Sequence, residues 1–337
     1  MVQQKPEFDP CSPVHVKKGL RLLATTDLHM HLTGYDYRTN RPSHATGLTR
    51  IATLIREARA QAETEGRSVL LFDNGDTFQG TPLGDPEVLP ENAPHPLIRA
   101  FDFLGYDAMG LGNHDFDFGL APLDRALADA SCPVISSNLE RCDPGAEPPT
   151  VPFAILDRIL VTANGPKGIR IGVLSFLPPQ TTKWDAHILS GRVRVHDIVT
   201  TARNRVAELK RLGCDLIVAL GHTGIEEASN PETAENVGVA LAGIAGIDAL
   251  IAGHTHLVLP GKAHEGISHV DAEKGLIHGT PVIMPGANGS HLGVIDLELD
   301  WSPTQGWRVT GTTSESRPVA LPDAQATVPE DPDLLNL

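Results

Sequence analysis

The sequence predicts an α/β fold, and three observations carry that expectation. Short apolar runs of strand length alternate with longer runs of helix length over most of the 337 residues. Apolar residues make up 41% and charged residues 20%, a globular balance that excludes a coiled coil, a collagen or a disordered chain. Side chains of metal-ligand type also follow directly on several strand-like runs, at the strand ends where open α/β sheets bind ligands.

In chain order, residues 20–25, 69–72, 107–111 and 134–136 read as short apolar strands, with helices expected over 48–62, 96–104 and 120–129 between them. The second half repeats the alternation: strand 169–175, helix 198–212, strand 216–220, helix 234–245 and strand 249–252. The finish is strand-rich, at 281–284, 292–299 and 307–310. Residues 141–152, rich in Pro, Gly and acid, read as a surface loop. Residues 317–337 hold Pro318, Pro322, Pro329 and Pro332 with little periodicity, and read as a linker. The expected division is an N-terminal extension over 1–19, one domain over 20–316 and the linker.

Forty-two acidic residues against 27 basic ones give a formal charge of −15, so a nucleic-acid polymer is not an expected partner. A small anionic substrate would need concentrated local positive charge, which bound metal ions can supply. No stretch near the N-terminus has the apolar length of a secretory leader. The apolar run 237–253 contains Asp248, is Gly-rich and falls short of a membrane crossing, so no membrane association is expected. Among the four cysteines there is no CxxC pair and no zinc spacing; Cys214 reads as buried and inert, while Cys132 and Cys142 could pair in an oxidising compartment.

Five strand-like runs each lead straight into possible ligands: Asp27 and His29, Asp76, Asn113 with His114 and Asp115, His222, and His254 with His256. Gly75, Gly112, Gly221 and Gly253 immediately precede four of these groups, where a sharp turn or close backbone approach is needed. One Asp-x-His alone is more often a turn pair. Five such groups at the same structural station indicate a metal site. Seven side chains of mixed oxygen and nitrogen type are too many for one tetrahedral zinc and suit two divalent ions chosen among Mn, Fe, Co and Zn. Such a pair acidifies water and neutralises phosphoryl charge.

The motifs DLH (27–29), GD (75–76), GNHD (112–115), GHT (221–223) and GHTH (253–256) resemble those of the calcineurin-like metallophosphoesterases. Further segments are similar to the cyclic-nucleotide branch of the 5′-nucleotidase group: Gly34-Tyr35-Asp36-Tyr37, Gly80-Thr81-Pro82-Leu83-Gly84, Pro178-Pro179-Gln180 with Trp184-Asp185, Ala234-Glu235-Asn236, and Met284-Pro285-Gly286 with His291-Leu292-Gly293. The similarity runs from about residue 20 to residue 299.

The resemblance implies a four-layer α/β/β/α sandwich with a dinuclear site at the rim where the strands of its two sheets end. It would place Asp27, His29, Asp76 and His256 on a first cation, and Asp76, Asn113, His222 and His254 on a second, with Asp76 shared. It implies that His114 is no ligand but serves the leaving oxygen, oriented by Asp117. His31, two residues beyond His29, is expected to point away from the cations, and His291 to be a structural hydrogen-bonding residue. Tyr35 and Tyr37 read as packing residues. The implied reaction converts 2′,3′-cyclic nucleotides to 3′-nucleotides, and these to nucleoside and phosphate. A 5′-nucleotidase or sugar-nucleotide hydrolase could share the same site, and a metal-stabilised scaffold is the non-enzymatic rival. In the family a C-terminal nucleotide-binding domain supplies the aromatic platform for the base; residues 317–337 would lead toward it, outside this chain.

Overall fold

The computed structural model describes residues 19–89, 93–142, 149–162, 165–227, 230, 234–321 and 327–337. Residues 1–18 of the expected N-terminal extension and 143–148 of the expected loop at 141–152 therefore lie outside the described residues.

Two sheets stack face to face. The first contains β1 (Gly19–Thr25), β2 (Arg67–Asp73) and β3 (Ala108–Met109), paired in parallel in that order, with β9 (His291–Ser302) antiparallel on the other side of β1 and β10 (Gly306–Pro318) at the edge. The second is built on β4 (Ala154–Thr162), β5 (Gly165–Phe176), β6 (Leu216–Gly221), β7 (Ala249–Ala252) and β8 (Thr280–Pro285), parallel from β5 through β8 and extended by two short strands beyond β8.

Strand periodicity explains the stacking. All seven residues of β1 are buried, because both faces of the strand are covered. Leu20, Leu22 and Ala24 face the second sheet, where they meet Ile171, Val173, Val218 and Ile251 in one apolar cluster. Leu23, on the opposite face, belongs to the cluster under the helices α1 (Leu48–Thr64), α2 (Pro96–Leu104) and α3 (Leu120–Leu127). Helices α4 (Ile198–Arg211) and α5 (Gly238–Ala242) cover the outer face of the second sheet. The layers are thus α/β/β/α. A buried leucine such as Leu22, truncated to alanine, would cost about 2–5 kcal/mol. Arg21 is the polar exception on β1: its guanidinium donates to both carboxylate oxygens of Asp296 and to the Ala58 carbonyl, so its charge is paired where it is buried.

Several elements differ from the sequence reading. Strand β4, with Asp157 and Arg158 at its centre, was not foreseen: an edge strand half open to solvent lacks a clean apolar period. Residues 134–136 form only isolated bridges to Met109 and Val151. The helix expected over 234–245 shortens to α5 because the Thr223 hydroxyl donates to the Glu235 carbonyl and the Gly224 N–H to Asn236, which draws that segment toward the site.

The described part of the expected linker is docked rather than free. Glu330 accepts from the Gly34 N–H and the Thr49 hydroxyl, both at 2.7 Å, and Arg56 donates to Asp331 at 3.0 Å. Asp331 caps the short helix α6 (Pro332–Leu335), which buries Leu334. These are long-range polar contacts that leave no local period in the sequence. Cys132 and Cys142 are both free thiols, and Cys214 is buried. Among the described residues no helix is long and apolar enough to cross a membrane.

Candidate metal centre

The loops that follow β1, β2, β3, β6 and β7 converge at one end of the two sheets. The β1 and β2 loops are zipped together: the N–H groups of Asp27, His29 and Met30 donate to the carbonyls of Gly75, Asp76 and Thr77. Asp27, His29, Asp76, His254 and His256 all hold positive φ, between 45° and 72°, a conformation that costs a non-glycine residue on the order of 1–3 kcal/mol each. The surrounding contacts enforce it. Asp115 accepts from the backbone of Asp76, Thr77, Phe78 and Gly112, and both carboxylate oxygens of Asp27 accept from the His254 N–H at 3.1 Å.

Glycine is required at two of the strand ends by space alone. A Cβ on Gly112 would lie 2.2 Å from Asp76 Oδ1 and 2.6 Å from the His222 ring. One on Gly253 would lie 2.3 Å from Thr26 Oγ1 and 2.7 Å from Asp27 Oδ2.

The convergence produces two abutting groups, Asp27 with His29 and His256, and Asp76 with His222 and His254; within each, the potential ligand atoms lie within 4.8 Å of one another. Across the groups, His222 Nε2 is 3.8 Å from Asp27 Oδ1, and His29 Nε2 is 3.9 Å from Asp76 Oδ2. Asn113 stands between Gly112 and His114, whose N–H donates to Asp76 Oδ1 at 2.7 Å.

The donor set fits divalent cations. Asp76 Oδ2, Asn113 Oδ1 and His222 Nε2 are buried without a hydrogen-bond partner among the described residues, a costly arrangement for three polar atoms unless something binds them. His222 Nε2 lies 3.0 Å from Asp76 Oδ2, an ion-pair approach without hydrogen-bond alignment. The other ring nitrogens are tied back: His222 Nδ1 to the Asn74 carbonyl and His29 Nδ1 to the Gln79 carbonyl, both at 3.0 Å. Each tether turns Nε2 toward the site. His29 Nε2 and His256 Nε2 face each other at 3.0 Å.

Electrostatics follow from the crowding. Burial pushes the Asp76 carboxyl up, but His222 outweighs it and holds the group below the ordinary carboxylate range. Burial lowers His222 while Asp76 and Asp27 more than reverse it, to about 10. Burial lowers His29, and burial together with His222 lowers His254. Two further carboxyls support the loops from behind: Asp73 is pushed by burial up to about 7, and Asp115 by burial and Asp76 up to about 6.

His114 stands at the rim, its ring 5.4 Å from that of His29. Its Nδ1 is 2.9 Å from Asp117 Oδ2, and this contact, with Asp76 and against partial burial, raises its pKa to about 9. His31 turns its ring back on the carbonyls of Leu28 and His29 and joins neither group. His291 meets the Ser290 hydroxyl, and Tyr35 packs edge-on against Tyr37. Of the supporting residues, Asp73 and Asn74 were not singled out from the sequence, and Glu235 entered only within a segment of family resemblance, without a role. Asp115 was among the possible ligands by its place in GNHD, and the structure turns it toward backbone N–H groups rather than into either cluster.

This chain belongs to the calcineurin-like phosphoesterase family, whose model matches residues 20–258. It is 38% identical to the 2′,3′-cyclic-nucleotide 2′-phosphodiesterase/3′-nucleotidase of Salmonella typhimurium over 89% of its length, and 36% identical to the trifunctional nucleotide phosphoesterase protein YfkN of Bacillus subtilis over 92%. It spans 46% of the first relative and 22% of the second, less than half of either. The crystal structure of the calcineurin-like phosphoesterase YfkN superposes with a TM-score of 0.84 at 35% identity, covering 94% of this chain and 96% of that one.

Proposed function

We propose that this chain carries the catalytic site of a metal-dependent phosphoric ester hydrolase, one that opens 2′,3′-cyclic nucleotides to 3′-nucleotides and then releases phosphate from these. The observation that carries the reading is the joint presence of two abutting ligand groups and, beside them, a histidine held by a carboxylate. The named activity of the Salmonella relative supports the choice of substrate.

In this reading Asp27, His29, Asp76 and His256 hold one divalent cation, and Asp76, Asn113, His222 and His254 a second. Mixed oxygen and nitrogen donors suit Mn, Fe, Co or Zn. When bound, the pair supplies an acidified water and neutralises charge on the phosphoryl oxygens. The protein's own groups do the rest. Asp117 occupies His114 Nδ1, so Nε2 is the nitrogen free to deliver a proton. That proton goes to the ribose oxygen as its bond to phosphorus breaks, first O2′ of the cyclic ester and then O3′ of the monophosphate. The His114 backbone N–H donates to Asp76 Oδ1 and so ties the turn that carries the acid to the carboxylate that both cations would share.

The test is a turnover panel of 2′,3′-cyclic AMP, 3′-AMP and 5′-AMP with defined metals, before and after chelation. Metal-dependent release from the first two supports the reading. Preference for 5′-AMP overturns the substrate assignment, and metal uptake without turnover of any of the three overturns the enzymatic one.

A further inference from the structure

His254 is held from three sides. Its backbone N–H donates to Asp27, its ring lies stacked on Trp184 with centroids 5.8 Å apart and planes at 21°, and its Nε2 is 2.6 Å from Glu235 Oε1. The last contact differs in kind from those of the neighbouring histidines. His29 and His222 tie Nδ1 to neutral carbonyls and present Nε2, whereas His254 ties Nε2 to an acid. An imidazole that gives its Nε2 proton to a carboxylate keeps its bare lone pair on Nδ1.

The backbone that carries the carboxylate is tied down. The Thr223 hydroxyl donates to the Glu235 carbonyl and accepts from the Val237 N–H, both at 2.8 Å, while the Gly224 N–H donates to Asn236 Oδ1 at 3.0 Å. Thr223 directly follows His222. The segment that carries Glu235 is therefore bolted to the loop that carries the other histidine of the same group.

We propose that Glu235 is a positioning residue for the second cation: it fixes His254 in the tautomer with the proton on Nε2, so that His254 binds through Nδ1. The proposal rests on the dinuclear reading above. It assigns a purpose to Ala234-Glu235-Asn236 that the ligand motifs do not, and it makes the ligand histidines of this site non-equivalent. A carboxylate behind a ligating imidazole orients the ring and raises its basicity; losing such a partner costs roughly 10- to 100-fold in metal affinity.

The whole chain, stripped with a chelator, is titrated with Mn(II) and with Zn(II) by calorimetry. Wild type is expected to take two equivalents. Glu235→Ala should leave the first unchanged and weaken the second roughly 10- to 100-fold, while Glu235→Gln, whose amide oxygen still accepts from Nε2–H, should recover most of the loss. In the metal-free protein, long-range ¹H–¹⁵N spectra should place the His254 proton on Nε2 in wild type and show mixed tautomers in Glu235→Ala. Glu235 is about 40% exposed, so its truncation should not prevent folding, and a thermal melt checks this. Wild-type affinity for both equivalents in Glu235→Ala overturns the proposal alone. Equal weakening of both equivalents in Glu235→Ala and Glu235→Gln also overturns it, because a single-site positioning role cannot do that. A wild-type chain that binds fewer than two equivalents overturns the dinuclear reading and this proposal together.

Discussion

His114 Nδ1 and Asp117 Oδ2 lie 2.9 Å apart, three residues from one another on a single tight turn that begins beside the two candidate metal-ligand groups. The carboxylate stabilises the imidazolium and holds the His114 pKa at about 9, with Asp76 adding to it and partial burial opposing. A group that works as a proton donor is active below its pKa, so activity should be lost as pH rises through about 9. Asp117→Asn removes the main cause of the shift, and the alkaline limb of kcat/KM against pH should move down toward the ordinary imidazole value of about 6.5. A limb that stays in place in the variant would show that another group sets it.

His114 should matter to rate and not to metal. It belongs to neither ligand group, and its ring is partly open to solvent. His114→Ala is expected to retain the wild-type metal content, measured by plasma mass spectrometry, and to lose about 10²–10⁴-fold in kcat, the usual scale for a proton-transfer group. A metal-depleted variant would place His114 among the ligands instead.

The fold and the clustering of ligand-type side chains were legible in the sequence for one reason. Both depend on local pattern: the apolar period of β1, β2, β6 and β7, and the placement of Asp27, Asp76, His222 and His254 just past those strands. What escaped lacks such a signature. Strand β4 hides because its half-exposed edge position gives Asp157 and Arg158 no apolar period to interrupt. Glu330 and Asp331 looked like linker acids because their partners, Thr49 and Arg56, lie about 280 residues away in sequence. Glu235 likewise gains meaning only when folding brings it to His254.

Asp76 is the residue whose loss should be felt by both groups. Its two oxygens reach different neighbours, Oδ1 toward the His114 N–H and Oδ2 toward His222 and His29. Asp76→Asn keeps the shape and removes the charge, so metal content should fall by one or both equivalents and turnover to near background. Thermal melts add a second readout. Cation binding raises the melting temperature of wild type by mass action, and that rise should shrink in the variant. Full turnover with two bound equivalents in Asp76→Asn would remove Asp76 from the shared position.

Behind the site, Asp73 sets a pH dependence of stability that is separate from catalysis. It is fully buried at the end of β2, where it accepts from the Thr25 and Thr77 hydroxyls and the Gly75 N–H. Burial nevertheless dominates those bonds and pushes its pKa up to about 7. The unfolded chain releases the same proton near 3.9. Between these values the native state binds more protons than the unfolded state, so stability falls as pH climbs from about 4 to about 7. Asp73→Asn resembles the protonated carboxyl: its oxygen can still accept from Thr77 and Gly75, and its amide can donate to the Thr25 hydroxyl, which is free to turn toward Tyr106 at 2.9 Å. Melting temperatures of the chelated proteins at pH 5 and pH 8 should therefore differ less in Asp73→Asn than in wild type, with the variant gaining on wild type as pH rises. Parallel pH profiles for the two proteins would mean that Asp73 is already ionised in the native fold, its charge carried by the three hydrogen bonds alone.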